Sequence, residues 1–135
     1  MLFRTGPGPN HGLTMLGAYA HDSPDNSLYQ HFVWVGMLYS GFWKARPDDQ
    51  IGLAFTYYQV SPSLTSTERL EQAFGLPPTY QFGVQTHAMV LEANYSIPVY
   101  RGIQLQPEFE WFVRPGGVST VPDAVVLGLK THVLF

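Results

Sequence analysis

Glu108 and Glu110 stand two residues apart. In an extended chain that spacing puts both carboxylates on one face, with Cα atoms roughly 7 Å apart. Paired carboxylates suit glycoside hydrolysis, one protonating the leaving oxygen and the other acting as base or nucleophile. Nothing else in the chain supports that chemistry, because no apolar cage surrounds either group. His11, His21, His31, His87 and His132 lack the spacing of metal ligands. No Gly-x-Ser-x-Gly elbow is present, which argues against a lipase of the hydrolase type. Asn94-Tyr95-Ser96 matches a glycosylation sequon but falls inside an extended stretch. The expectation is therefore no enzyme, no metal and no cofactor. What remains is hydrogen bonding from side chains at alternate positions.

The elements that place those side chains are strands. No long segment carries apolar residues at helical spacing, whereas period-two alternation recurs. Met89, Leu91, Ala93, Tyr95, Ile97 and Val99 share one face, opposite Val90, Glu92, Asn94, Ser96 and Pro98. Ile103, Leu105, Pro107, Phe109, Trp111 and Val113 oppose Gln104, Gln106, Glu108, Glu110 and Phe112. Val125, Leu127, Leu129, Val133 and Phe135 oppose Val126, Gly128, Lys130, His132 and Leu134, with Thr131 the exception. Three weaker strands precede these. Ile51, Leu53, Phe55 and Tyr57 lie opposite the small Gly52, Ala54 and Thr56. The segment 28–40 is apolar on both faces, and 12–22 is mixed. Six strands are expected, at about 12–22, 28–40, 51–61, 87–99, 103–113 and 124–135. Only a short helical turn is expected, near Thr67 to Ala73. Pro107 in mid-strand removes a ladder donor and calls for a bulge or an unbonded position.

Composition decides what these strands face. Charged residues are 13% of the 135, about half the roughly 25% of a soluble domain. Aromatics are 15%, and Gly 13 and Pro 11 imply many turns. Mean hydropathy is near zero. No stretch approaches the roughly 20 apolar residues of a membrane-crossing helix. Low charge with neutral hydropathy fits a barrel whose strands meet lipid on one face and water on the other. The absence of cysteine removes disulfides and thiol chemistry. A net charge of -3 provides no basic patch, so nucleic acid is not expected as a partner. Met1-Leu2-Phe3-Arg4 does not open a signal peptide. Alternation by itself leaves a membrane barrel and a soluble β-sandwich equally open. Charge depletion and the terminal strand favour the barrel.

The connections carry a further regularity. Tyr100-Arg101-Gly102 is very short and Phe42 to Gln50 is modest, whereas Ser61 to Thr86 is long and Arg114 to Asp123 intermediate. Bacterial barrels have short periplasmic turns and longer extracellular loops. If Phe135 ends on the periplasmic side, 100–102 and 42–50 fall inside and 62–86 and 114–123 fall outside. Aromatics cluster near strand ends: Phe42, Trp43, Tyr100 and Phe135 at one edge, and Tyr57, Tyr58 and Trp111 at the other. Such rings favour a membrane interface.

Four stretches in order carry a family likeness. Gly36-Met37-Leu38-Tyr39-Ser40-Gly41 leads to Arg46-Pro47-Asp48-Asp49 and Ile51-Gly52-Leu53-Ala54. Glu92-Ala93-Asn94-Tyr95 follows. Gln106-Pro107-Glu108-Phe109-Glu110-Trp111 precedes Arg114-Pro115-Gly116-Gly117. Ala124 to Lys130 runs on to Phe135. Residues from about 28 to 135 resemble the C-terminal region of the carbohydrate-selective porins of the OprB family. Glu108, Glu110 and Arg114 depart from the family's usual Asp, Gln and Asn.

The resemblance implies an all-β fold, with antiparallel strands forming part of a transmembrane outer-membrane β-barrel, about six strands of a larger one. It implies that 1–135 is a C-terminal fragment lacking the N-terminal strands and signal peptide. It places the chain in the bacterial outer membrane. The function implied is passive diffusion of small carbohydrates; the alternatives are a soluble β-sandwich carbohydrate-binding module and a non-functional remnant of a truncated porin gene. Glu92, Asn94, Gln104, Gln106, Glu108, Glu110, Lys130 and His132 become candidates for the wall of the substrate path, exchanging hydrogen bonds with sugar hydroxyls, and Phe112 suits stacking on a pyranose. Phe135, Val133 and Leu129 become a membrane-assembly signal. The partners implied are small sugars, outer-membrane lipids, the barrel assembly machinery and the missing strands.

Overall fold

The computed structural model describes residues 11–134 and the backbone of Phe3–Arg4. They form one antiparallel sheet in strict chain order, β1-β2-β3-β4-β5-β6-β7. The strands are β1 (Phe3–Arg4), β2 (Gly12–His21), β3 (Tyr29–Ser40), β4 (Gln50–Val60), β5 (His87–Tyr100), β6 (Ile103–Val113) and β7 (Ala124–Val133). Such a meander follows from the short connections, since antiparallel neighbours need only a turn between them. The six long strands have 10 to 14 residues, matching the roughly 9–11 that cross a bilayer at a tilt.

Register turns the alternation into two continuous surfaces. Met15 pairs Met37, Met37 pairs Leu53, Leu53 pairs Ala93, Ala93 pairs Phe109 and Phe109 pairs Leu127. This row and the neighbouring one through Val35, Phe55, Leu91, Trp111 and Val125 are apolar from edge to edge. Leu91, Phe109 and Trp111 are exposed on this face, while Glu92, Asn94, Glu108 and Glu110 on the other are half-buried. Side chains splay on the convex side of a curved sheet and crowd on the concave side, so the apolar face is convex. No second sheet covers it among the described residues. A sandwich would bury this face against a partner layer; here an apolar band stands open, as it does where lipid replaces the partner.

The buried apolar residues Val60, Ala88 and Val118 all lie near one rim, where the connections 22–28, 61–86 and 114–123 meet. Val60 N–H donates to Thr86 O and Thr86 N–H to Gly117 O, both at 2.8 Å. Ser61 N–H donates to Leu28 O at 2.9 Å, and the Ser61 hydroxyl to Pro24 O. The opposite rim carries the turns 41–49 and 101–102. There Asp49 is buried, held by Arg46 Nε at 3.0 Å and by the Tyr95 hydroxyl. Tyr39, Phe42 and Tyr95 gather beside it.

Two features depart from the sequence reading. A full helix, α1 (Pro62–Phe74), replaces the short turn expected near Thr67 to Ala73. Pro62 opens it, where the missing N–H costs nothing. Gly75 closes it in the left-handed region (φ 63°), with Leu76 N–H donating to Glu71 O at 2.9 Å. Its buried residue is Glu68, not an apolar stripe, so the helix left no periodic signal. Second, Tyr58 lies on the concave side, edge-on to Tyr29 at 5.0 Å, away from the convex rim occupied by Tyr57. At Pro107 the ladder to β5 skips between the pairs Asn94–Glu108 and Ile97–Leu105, while the ladder to β7 continues through Pro107–Leu129.

After α1 the chain folds back, and Glu71 accepts hydrogen bonds from Thr79 through its hydroxyl at 2.6 Å and its N–H at 2.7 Å. These hold the Glu71 carboxyl below the usual glutamate range. A lowered folded value means the clasp contributes stability above that range and loses it as pH falls through the folded value. The protection of the Thr79 amide against hydrogen exchange should therefore drop on acidification into that window, and Glu71→Gln should show low protection with no such step. For the sheet, spin labels at Leu91, Phe109 and Leu127 should be relaxed by oxygen in a bilayer, and labels at Gln104, Glu108 and Lys130 by a water-soluble agent. Equal accessibility of the two sets would overturn the two-surface reading.

Candidate functional site

The concave face of β5–β7 gathers all eight polar residues picked out in the sequence. Glu92 faces Glu110 and Asn94 faces Glu108 across β5–β6. Gln106 faces Lys130 and Gln104 faces His132 across β6–β7. Lys130 Nζ pairs with Glu108, and the Ser96 hydroxyl donates to Gln106 Oε1 at 3.0 Å. Glu92 and Glu110 are like charges directly opposite, an arrangement that opposes pairing in a sheet. Lys130 answers part of that charge from the next strand. The pair is water-accessible, with Lys130 56% exposed, so its contribution to stability is small and its main effect is on local field.

Glycines set how these side chains lie. A Cβ on Gly52 would stand 2.5 Å from the Asn94 Oδ1, and one on Gly128 would stand 2.5 Å from Glu108 Oε1. Asn94 and Glu108 therefore lie flat over the bare backbone of the neighbouring strand. Gly36 does the same for Trp34, whose ring would be 2.6 Å from an added Cβ. Gly36, Gly52, Trp34, Asn94 and Glu92 line a shallow cleft of about 220 Å³ on the concave side. An indole plate beside an amide and a carboxylate offers the stacking and the hydrogen bonding that recognise a sugar ring. Sequence reading did not single out Trp34, because 28–40 is apolar on both faces and its register was open. The pairing of Ala18 with Trp34 and of Trp34 with Thr56 resolves it. The small residues opposite Ile51, Leu53 and Phe55 were the available signal.

Among the described residues no group of three or more His, Asp or Glu is placed to hold a metal ion. Leu129 and Val133 stand exposed on the convex face, 68% and 48%, next to lipid in a barrel. Phe135, the third residue of the expected assembly signal, lies outside the described residues.

A meander with an open apolar convex face, a concave face that is polar over β5–β7 and aromatic rims is a wall segment of an outer-membrane β-barrel. The chain belongs to the carbohydrate-selective porin, OprB family, whose sequence pattern matches residues 1–135. It is similar to Porin B of Pseudomonas aeruginosa, 30% identical over 120 residues that make up 85% of this chain and 26% of that protein. It is also similar to the structure of Pseudomonas putida OprB at high pH, with a TM-score of 0.81 and 25% identity over 92% of this chain and 30% of that one. The chain thus spans under a third of the length of these relatives. It is a bacterial outer-membrane protein, in keeping with the lipid-ready band.

The acid-rich wall generates a prediction. In planar bilayers containing the full-length barrel under a salt gradient, Glu108→Gln should lower the cation-to-anion permeability ratio by about twofold, and Lys130→Met should raise it. Unchanged reversal potentials in both variants would remove this face from the ion path.

Proposed function

We propose that this chain supplies one side of a pore through which small sugars diffuse passively across the outer membrane. The observation that carries this reading is the concave wall, where eight hydrogen-bonding side chains stand in register on β5–β7 and two of them, Glu92 and Asn94, also line the Trp34 cleft. Amides and carboxylates there exchange hydrogen bonds with sugar hydroxyls in place of water, so a solute passes without losing its full solvation. Weak, multiple contacts suit transit better than one tight site. We assign the wall no catalytic step. Glu92 and Glu110 face one another, but no enclosing apolar shell surrounds either.

The same reading makes 1–135 the C-terminal part of a longer barrel. Six long strands fall short of the roughly 8 in the smallest natural single-chain barrels. An open sheet in hydrocarbon leaves unpaired N–H and C=O groups along its edges, each costing several kcal/mol. In the whole protein β7 would pair with the first strand of the missing part, and strands before β2 would continue the other edge. The long connections 61–86 and 114–123 would face the exterior, and the turns 41–49 and 101–102 the periplasm. Val133, Leu129 and Phe135 would be read by the barrel assembly machinery.

The test is function with and without the remainder. The chain extended upstream should give stable single-channel steps in planar bilayers and admit small sugars into liposomes in a swelling assay. The 135-residue chain alone should give neither. Stable steps from the short chain would show closure by self-assembly and overturn the fragment reading.

A further inference from the structure

A second polar feature lies on the convex face, where the pore wall has no use for it. At the rim bearing α1, the apolar band ends in a row that crosses four strands: His21 pairs His31, His31 pairs Gln59 and Gln59 pairs His87. Two positions further along β4 and β5 the same face is Tyr57 and Met89, and four positions further Phe55 and Leu91. The row therefore sits where hydrocarbon gives way to headgroups.

At the β4–β5 end of this row a cleft of about 270 Å³ opens between the sheet and the first two turns of α1. Arg69, Ser66 and Thr65 line it from the helix, and His87, Gln59 and Tyr57 from the strands. No carboxylate lines it among the described residues. Arg69 has no ion-pair partner among the described residues. Arg114 sets its guanidinium 3.3 Å from His87 Nε2, so a second permanent cation backs the same wall. The Arg69 guanidinium, the His87 imidazole and the Ser66 hydroxyl around a carboxylate-free hollow, with the Arg114 guanidinium against His87, make an anion receptor, and the fork of Arg matches phosphate. Depth selects the source of that phosphate. The cleft opens on the lipid-facing side at the end of the apolar band, level with lipid headgroups, and away from the concave path of solutes.

We propose that this cleft binds a phosphate of an outer-leaflet glycolipid, with Arg69 on one side and the His87–Arg114 pair on the other. The proposal rests on the reading that the α1 rim faces the exterior. Such a contact would fix the depth of the wall and seat α1 on the membrane surface.

The experiment uses the full-length barrel in detergent and native mass spectrometry with defined lipids. Phosphorylated lipid A should be retained, and Arg69→Ala and Arg114→Ala should each weaken retention about tenfold, the scale of a charge-assisted hydrogen bond. Arg101→Ala, at the opposite rim, should leave it unchanged. Gel mobility with and without heating confirms that each variant is folded, and Arg69→Lys should recover part of the binding. Equal retention of dephosphorylated lipid A, or undiminished binding in the Arg69→Ala/Arg114→Ala double variant, would overturn the proposal. So would equally tight binding of inorganic phosphate or of phosphatidylglycerol, which would assign the cleft to a free anion or to an inner-leaflet lipid. Conductance measured in parallel keeps the pore reading separate: a silent barrel that still retains lipid A sinks the pore and leaves this site standing. Labelling of Ser63→Cys on intact cells tests the sidedness by itself.

Discussion

Backbone hydrogen bonding in a medium without water is the constraint from which this structure follows. A strand in hydrocarbon has no solvent to satisfy its N–H and C=O groups, so each must meet a neighbouring strand. The meander from β2 to β7 does this over six long strands of nearly unbroken register. Once the backbone is committed to the ladder, side chains have only two destinations, and alternation distributes them. The convex face carries Leu53, Phe55, Leu91, Phe109 and Leu127, which a soluble protein would bury. The concave face is then free to carry Glu92, Glu108, Glu110 and Lys130, charges that lipid would reject.

Within the concave wall, glycines do as much as polar residues. Gly36, Gly52 and Gly128 each leave room for a large side chain from the same or the next strand. Without those gaps Trp34, Asn94 and Glu108 would project away from the sheet. The relation is local, because directly paired residues share a face and compete for the same space: Gly52 with Asn94, Gly128 with Glu108. Belonging to a carbohydrate-selective porin family and carrying a flat, polar, glycine-relieved wall are thus consistent at the level of single cross-strand pairs.

Much of the sheet was legible in the sequence because its signal is the simplest one, a period of two. The six long strands begin and end within one or two residues of the positions the alternation indicates, as far as the described residues extend. The eight polar candidates share a face for the same reason. The rest was hidden for identifiable causes. β3 is apolar on both sides, so nothing in its own sequence distinguishes the face of Trp34 from that of Val35. Helix α1 turns inward through Glu68, whose carboxylate accepts the Gln85 N–H at 2.6 Å, and leaves Leu70 and Phe74 exposed. Its stability comes from caps and loop contacts, which have no periodic signature. The Arg69–His87–Arg114 grouping joins a helix, a strand and a loop distant in sequence, and only the folded chain puts them together.

The apolar residues packed away from solvent among those described, Val60, Ala88 and Val118, sit together at the rim where three connections are tied by backbone bonds to Thr86, Gly117 and Leu28. Over the convex face of the described sheet, burial of apolar side chains is left to the bilayer. The chain therefore has two regions with different requirements for ordering. The rim knot can condense in an aqueous compartment, since its packing is protein against protein. The band between the rims gains its hydrophobic driving force only on entering lipid. Assembly would then run in one direction, with a preformed end leading or trailing a sheet that zips as it inserts. A substitution in the knot would be felt as a defect in the timing of membrane entry, ahead of any change in the finished wall.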